Sequence, residues 1–253
     1  MTNKYMYFIA NWKMFGGLNS LNSLHKIVKF FKTFKKNKSI KIIYCPPNIL
    51  IRPMSKKLKN SKIEVGAQNC HENDTYGAFT GSVNSMMLKN VGAKYVIIGH
   101  SENRQSGEND KLINLKIKSA LNSGLKVIFC IGETLNEKRR KATKRVLERQ
   151  ISLGLKKINK KNSNIIIAYE PVWSIGTGKV PKLKELQKTA FLLKKFLKSR
   201  FGGKYNFKLL YGGSVDNKSI RNFKLIKELD GFLIGGASKS SKKFIDIIRN
   251  FYK

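Results

Sequence analysis

The sequence predicts an α/β protein that folds as one closed (β/α)8 barrel, and three observations lead to this fold class. Short apolar runs rich in β-branched and aromatic residues recur eight times along the chain. Most of these runs are continuous rather than alternating, which is typical of parallel strands covered on both faces. Lysine-rich stretches with helical periodicity separate the runs, and eight strand–helix units in about 250 residues favour closure into a barrel.

The strands are predicted where the apolar runs are densest: Tyr5–Ala10, Lys41–Cys45, Ile63–Ala67, Tyr95–Gly99, Lys126–Ile131, Ile165–Tyr169, Lys208–Tyr211 and Gly231–Ile234. Helices are predicted where apolar residues return every three or four positions: Leu21–Phe31, Leu112–Ala120 and Leu183–Leu197. A doubly wound open sheet is the alternative, but it usually carries G-x-G-x-x-G after its first strand, and this chain does not. No linker rich in Pro, Gly or Ser divides the chain, so we expect a single domain over residues 1–253.

The composition is strongly basic, with a formal net charge of +36. A basic surface attracts polyanions, so nucleic acid has to be considered as a partner. The lysines are scattered over the whole chain rather than gathered in one arm or helix, and no RNA-binding motif accompanies them. The pattern therefore favours attraction of small anionic substrates over nucleic acid as the main role.

The cysteines and apolar runs argue against several other classes of protein. Cys45, Cys70 and Cys130 are far apart, odd in number and form no C-x-x-C pair, so neither a disulfide framework nor a metal site is predicted. No cofactor motif is present. No apolar run approaches the ~18–20 residues of a membrane span, and the first strand is too short for a signal-peptide core. We expect a cytoplasmic protein with no membrane association.

Polar residues and glycines follow several of the predicted strands, at the end where (β/α)8 barrels carry their catalytic groups. In chain order these are Asn11, Lys13, His100, Glu102, Glu170, the turn Tyr211–Ser214, and Gly235 with Gly236. Because the carboxyl ends of the strands meet at one rim, we expect these groups to surround a common space. Any one of these residues could be an ordinary surface residue or part of a turn. Their placement at the ends of several strands favours a functional site.

The glycine turns predict a grip on a phosphate monoester, since glycine lets backbone N–H groups approach an anion closely. The expected contributors are Gly176, Ser214, Gly235 and Gly236, with a helix after Ser214 adding its positive end. The loop around Gly178-Lys179 is not a nucleotide-binding P-loop, because Trp173 and Val180 occupy positions that require glycine and Ser or Thr.

The remaining groups suit proton transfer beside a carbonyl rather than nucleophilic catalysis. Glu170 can act as a base on a weakly acidic C–H group, while His100 and Lys13 can stabilise the oxyanion that forms. No serine or cysteine is evidently paired with His100. The substrate expected from these residues is a small phosphorylated carbonyl compound.

The chain resembles the triosephosphate isomerase family along essentially its whole length. The resemblance is carried by motifs in family order: Asn11–Lys13, Gln68-Asn69, Gly77–Gly81, Gly99–Glu102, Cys130–Glu133, Ala168–Lys179, Tyr211–Val215 and Asp230–Ser238. It implies the TIM-barrel fold and interconversion of dihydroxyacetone phosphate and D-glyceraldehyde 3-phosphate through a cis-enediol(ate), in glycolysis and gluconeogenesis. Another phosphate-binding barrel enzyme and a basic RNA- or anion-binding barrel are the alternatives.

The resemblance also implies roles for individual residues. Glu170 is the base, His100 a neutral electrophile, and Asn11 and Lys13 bind substrate; Glu102, Tyr211 and Leu233 support them. A mobile lid is implied over Pro171, Val172, Trp173, Ile175, Gly176, Thr177, Gly178 and Lys179.

The loop from Cys70 to Gly81 resembles the segment through which family members form homodimers. The chain departs from the family pattern at Ser82, usually acidic, at Asn103, usually Arg, and at Ser174, usually Ala; the segment Arg104–Glu108 also looks one residue short. The resemblance therefore leaves the strength of the dimer and the role of Glu108 open.

Overall fold

Eight parallel strands close into a barrel in the computed structural model, which describes residues 5–158, 164–202 and 207–253. The strands pair in chain order, and the last returns to the first through Tyr7–Gly231 to Ala10–Ile234. The predicted fold class is confirmed. The strands are β1 Met6–Asn11, β2 Ile40–Cys45, β3 Glu64–Ala67, β4 Tyr95–Ile98, β5 Lys126–Ile131, β6 Ile165–Tyr169, β7 Lys208–Tyr211 and β8 Gly231–Ile234.

Helices cover the outside of the barrel between successive strands. Within the described residues they are α1 Leu24–Thr33, α2 Asn48–Leu58, α3 Ser85–Asn90, α4 Ser101–Gln105, α5 Asp110–Asn122, α6 Leu135–Arg139, α7 Thr143–Gly154, α8 Leu183–Phe201, α9 Ser219–Phe223 and α10 Ser241–Tyr252. Short 3-10 turns occupy Leu18–Ser23, Asn37–Ser39, Val172–Ser174 and Gly236–Lys239. None of the described helices combines the length and the apolar character that crossing a membrane requires.

The hydrophobic core has two layers because neighbouring strand residues point to opposite faces. Tyr7 and Ile9 of β1 point into the barrel, where they pack with inward residues of the other strands such as Ile97 and Ile128. Residues of the alternate set, such as Phe8, pack outward against the helices. Both faces of each strand are thus buried, which explains why the strands read as continuous apolar runs.

The element predictions hold closely. The last four strands have the predicted bounds, and the first four differ by one residue at one or both ends. The strand predicted to end at Gly99 stops at Ile98, because Gly99 takes a left-handed conformation (φ +74°) that leaves the strand.

Two helix predictions need correction. The predicted helix Leu21–Phe31 is a 3-10 turn followed by α1. The helix predicted over Leu112–Ala120 is the longer α5, and the apolar spacing that predicted it put Leu115 on the buried face, whereas Leu115 is 42% exposed and Ile113 and Ile117 are fully buried. Lys116 lies on the buried face because its ammonium pairs with the Glu108 carboxylate at 2.5 Å, a contact that helical periodicity does not reveal.

The carboxyl ends of β5 and β6 approach each other closely at Gly132. The buried side-chain amide of Gln150 accepts from Gly132 N–H at 2.8 Å and donates to its carbonyl at 3.1 Å. A Cβ atom at Gly132 would lie 1.8 Å from the backbone oxygen of Glu170. Only glycine therefore allows the chain to leave β5 here without displacing the residue that follows β6.

We expect Gly132→Ala to lower the free energy of unfolding by about 3 kcal/mol and Tm by roughly 6–12 °C, since neighbouring backbone must shift. Thermal unfolding followed by circular dichroism measures this. Gly17→Ala is the matched control, because nothing lies within 4 Å of its added Cβ. Equal Tm values for the two variants would contradict the close approach.

Candidate active site

A cavity of about 420 Å³ opens at the carboxyl ends of the strands. It brings together side chains and turns that follow β1, β4, β6, β7 and β8, which are far apart in sequence. The residues that line it are Asn11, Lys13, His100, Glu170, Ile175, Gly176, Gly178, Gly212, Gly213, Ser214, Val215, Asp216, Leu233, Gly235, Gly236, Ala237 and Lys239.

Glu170 sits at the floor of this cavity, directly after β6. Its backbone N–H donates to the carbonyl of Ile131 at 2.7 Å, and only 2% of the residue is exposed. Its side chain lies against Gly212, where a Cβ atom would come within 2.7 Å of Glu170 Cγ. The glycine turn after β7 therefore provides the space that the carboxylate occupies.

The environment of Glu170 favours its neutral form. Burial raises the pKa of the Glu170 carboxyl above its ordinary value, and the nearby His100, the Cys130 thiol, Lys13 and the Ser101 N–H offset this only in part. Its Oε2 has no hydrogen-bond partner among the described residues. A desolvated carboxylate with a raised pKa is a stronger base than one in water.

His100 faces this carboxylate across the cavity floor, with Nε2 3.4 Å from Glu170 Oε1. The backbone N–H of Glu102 donates to His100 Nδ1 at 3.2 Å, because His100 is the cap residue of α4. With Nδ1 accepting this bond, the single proton of a neutral imidazole lies on Nε2. The ring can therefore donate a hydrogen bond into the cavity.

Lys13 supplies an ammonium group from the turn after β1, and its Nζ lies 2.6 Å from Glu102 Oε1. Partial burial acts to raise the pKa of Glu102, but the hydrogen bond from Lys13 and the nearby His100, Lys13 and Lys239 outweigh it and hold this pKa below its ordinary value. Glu102 therefore stays ionised as the partner of Lys13.

The backbone of Lys13 is left-handed (φ +56°), a conformation that costs a non-glycine residue energy. Two side chains hold it there. Asn11 Oδ1 accepts from Lys13 N–H at 3.1 Å, and Gln68 Nε2 donates to the Lys13 carbonyl at 2.9 Å. Sequence reasoning assigned no role to Gln68, although its place directly after β3 was an available signal.

The turns predicted to grip an anion lie around the same cavity. Gly176, Ser214, Gly235 and Gly236 all line the cavity. The Ser214 hydroxyl donates to the carbonyl of Ser174 at 2.6 Å, which joins this turn to the lid.

The helix expected after Ser214 is α9, which is separated from Ser214 by a short turn. α9 begins at Ser219, and the N–H groups of Lys218 and Ser219 donate to Asp216 at 2.8 and 2.7 Å. The Asp216 carboxylate thus takes up the first free amides of α9, and it adds a negative charge to the cavity wall.

The lid segment is anchored at both ends by side chains. At its start, Glu133 Oε1 accepts from the Trp173 indole at 3.0 Å and from the Tyr169 hydroxyl at 3.2 Å. At its end, the Ser174 hydroxyl donates to the carbonyl of Lys179 at 2.6 Å and lies 3.2 Å from the Tyr211 hydroxyl. The Ser174 hydroxyl, where the family pattern has Ala, therefore links the lid to the turn after β7.

Glu133 itself was not predicted to have a role, although it follows β5 as Glu170 follows β6. Burial raises the pKa of Glu133, and the hydrogen bonds from Trp173 and Tyr169 offset this in part.

Most of the predicted residues line the cavity, and the rest lie behind it or in the lid. Glu102 contacts Lys13 rather than the cavity, and Tyr211 supports Ser174. The other residues of the predicted lid lie in the segment after β6: Pro171, Val172, Trp173, Thr177 and Lys179. Lys239, which lines the cavity, gave no sequence signal, because it is one of 51 basic residues.

Comparisons with known proteins agree with this geometry. Residues 6–251 match the family model described as triosephosphate isomerase. The chain is 40% identical over 245 residues to the triosephosphate isomerase of Dictyoglomus thermophilum, covering 95% of this chain and 97% of that protein. It is 41% identical over 216 residues to the triosephosphate isomerase of Saccharomyces cerevisiae, covering 84% and 86%.

The solved structure of triosephosphate isomerase from Bartonella henselae superposes with a TM-score of 0.88 at 34% identity, covering 98% of this chain and 99% of that one. A family match over nearly the whole chain, relatives at this identity and a shared barrel leave one assignment. The chain belongs to the triosephosphate isomerase family.

Proposed function

We propose that this chain interconverts dihydroxyacetone phosphate and D-glyceraldehyde 3-phosphate by proton transfer between adjacent carbons. The observation that carries the proposal is the convergence of Glu170, His100 and Lys13 on one cavity beside a set of glycine turns. A base, a neutral hydrogen-bond donor, a cation and an anion grip are the parts that this reaction needs.

In the first step, the Glu170 carboxylate takes a proton from the carbon next to the carbonyl. Electrons of the broken C–H bond form a carbon–carbon double bond, and those of the carbonyl π bond move onto its oxygen. The His100 Nε2–H donates to that oxygen, and the Lys13 ammonium stabilises the negative charge as it develops. The product of this step is an enediolate.

In the second step, the protonated Glu170 returns its proton to the neighbouring carbon. His100 Nε2–H gives its proton to the first oxygen and takes up the hydroxyl proton of the second oxygen. The double bond supplies the electrons for the new C–H bond, and the second oxygen becomes the carbonyl. The carboxylate is regenerated, so no oxidant or further reactant is needed. Because both carbons lie within reach of one carboxylate, a single base serves both steps.

The phosphate of the substrate is held by Gly176, Ser214, Gly235 and Gly236 in this proposal. Gly176 belongs to the lid, so phosphate binding and lid position are coupled. A lid held over the cavity excludes water, which strengthens the electrostatic interactions and protects the reactive enediolate.

Glu170→Gln tests the base, and we expect kcat to fall by on the order of 10²–10⁴, since an amide cannot accept the proton. The measurement is a coupled assay with each triose phosphate. In the wild type, the acidic limb of kcat/KM should lie above the ordinary Glu pKa, because burial raises the pKa of Glu170.

The same variant gives a stability readout. The folded chain holds the Glu170 proton more tightly than the unfolded chain, so ionisation of Glu170 costs stability as pH rises through its folded-state pKa. Glu170→Gln should therefore unfold at a higher temperature than wild type at neutral pH, with the difference shrinking in acid. Unchanged turnover, or a lower Tm at neutral pH, contradicts the assigned base or its burial.

Lys13→Met removes the cation while keeping most of the side-chain volume. We expect kcat/KM to fall by on the order of 10²–10³, because negative charge develops in the transition state and the phosphate is also anionic. Steady-state kinetics and inhibition by inorganic phosphate measure both effects. Lys13→Arg should recover part of the phosphate affinity; near-wild-type kinetics for the Met variant would refute the electrostatic role.

We also propose that two copies associate through the loop from Cys70 to Gly81. This loop exposes large apolar side chains, with Tyr76 67% and Phe79 46% exposed. Met14, after β1 at the same end of the barrel, is 98% exposed. Exposed apolar side chains that cluster at one end of a protein are typical of a partner interface.

Hydrogen bonds hold the start of this loop in place. Glu108 accepts from Asn69 at 2.7 Å and from Lys116 at 2.5 Å, which gives Glu108 a structural role. Beside the loop lies a cavity of about 210 Å³ that could accept Thr80 of a second copy; it is lined by Asn48, Asn69, Cys70, His71, Gly81, Ser82, Val83 and Lys116.

Met14→Arg tests the dimer, because a charge at an exposed position is harmless to a monomer but costly in an apolar interface. We expect it to shift the molecular mass measured by light scattering from that of two copies to that of one. Leu225→Arg is the control: Leu225 is 59% exposed and follows α9, whose carboxyl end lies at the opposite end of the barrel. A monomeric wild type contradicts the proposal.

A further inference from the structure

Lys239 is a second cation at the active-site cavity. It ends the 3-10 turn Gly236–Lys239 that follows β8, and it lines the same space as Lys13. Its Nζ lies 4.9 Å from the ring centroid of Phe15, which follows β1. The aromatic face therefore supports the ammonium at the mouth of the cavity.

The backbone that carries Lys239 is held in place. The Trp12 indole N–H donates to the carbonyl of Ser238 at 3.1 Å, and the Ser238 hydroxyl donates to the carbonyl of Gly235 at 2.6 Å. Trp12 also packs edge-on against Phe15, with ring centroids 6.1 Å apart. The position of Lys239 thus follows from the same β1–β8 contacts that position Lys13 and the glycine turn.

The charges around the cavity explain why a second cation matters. Two carboxylates line it, Glu170 and Asp216, and a phosphate monoester brings a charge of about −1.5 to −2 at neutral pH. Lys13 is already shared with Glu102 at 2.6 Å. Without Lys239, the carboxylates lining the cavity would outnumber its ammonium groups.

We propose that Lys239 is an accessory phosphate-binding residue, which attracts the anionic substrate to the cavity and strengthens its binding without taking part in proton transfer. This inference rests on the proposed function, because it names a residue that recognises the phosphate of that substrate. Lys239 lies three residues beyond Gly236, which is one of the residues proposed to hold the phosphate.

The test is Lys239→Met, assayed across a range of ionic strength. We expect kcat/KM to fall about threefold to tenfold at low salt, mostly through KM, because rim charges act on encounter and binding. The difference should fade at high salt, since the Debye length shrinks from about 30 Å at 0.01 M to about 3 Å at 1 M. Lys239→Arg should stay close to wild type.

Lys198→Met is the matched control, because it removes the same charge from an exposed position near the carboxyl end of α8, at the opposite face of the barrel. An equal loss in both variants would attribute the effect to net charge and overturn the inference. So would a kcat/KM for Lys239→Met that matches wild type at low salt.

Calorimetric titration with inorganic phosphate separates this inference from the proposed function. Weaker phosphate binding by Lys239→Met than by Lys198→Met supports the inference whether or not the chain isomerises triose phosphates. Equal phosphate binding by the two variants, together with normal isomerase activity of the wild type, would refute the proposed role of Lys239 and leave the proposed function intact.

Discussion

The pairing of β8 with β1 is the interaction on which the site depends. It closes the sheet and places the turn after β8 beside the turn after β1. A Cβ atom at Gly235 would lie 3.5 Å from Lys13 Cε, so the cation and the predicted phosphate grip are immediate neighbours. In an open sheet with the same strands these two turns would lie at opposite edges, and the cavity would not form.

Closure of the barrel is not sufficient for the proposed role of Glu170 as a base. That role also requires a carboxylate that is buried and can still ionise. Burial raises the pKa of Glu170, while His100 and Lys13 keep part of the charge stabilised. Gly132 leaves room for the backbone of Glu170, and Gly212 leaves room for its side chain. Burial of this carboxylate costs stability locally, as is common where ionisable groups line active sites.

The basic composition takes on a different meaning once the chain is folded. Many lysines lie on the outer helices and in the turns and loops between elements, as their scatter along the sequence suggested. A few are placed by tertiary contacts, among them Lys13 on Glu102, Lys116 on Glu108 and Lys239 on Phe15. These lysines differ from the rest in the groups that surround them in the folded chain. The residues next to them in the sequence do not reveal these contacts.

The order of strands, the barrel and the residues at its rim could all be predicted from the sequence. Buried parallel strands leave continuous apolar runs in a sequence, and catalytic groups in such barrels follow the carboxyl ends of the strands. Only the folded chain shows which ring nitrogen of His100 accepts the Glu102 N–H, the contact of Gln68 with Lys13, the hydrogen bonds from the start of α9 to Asp216 and the place of Lys239. Each of these depends on a distance of a few ångströms between groups distant in the chain or on a backbone angle. Periodicity carries no information about such distances, whereas packing sets them.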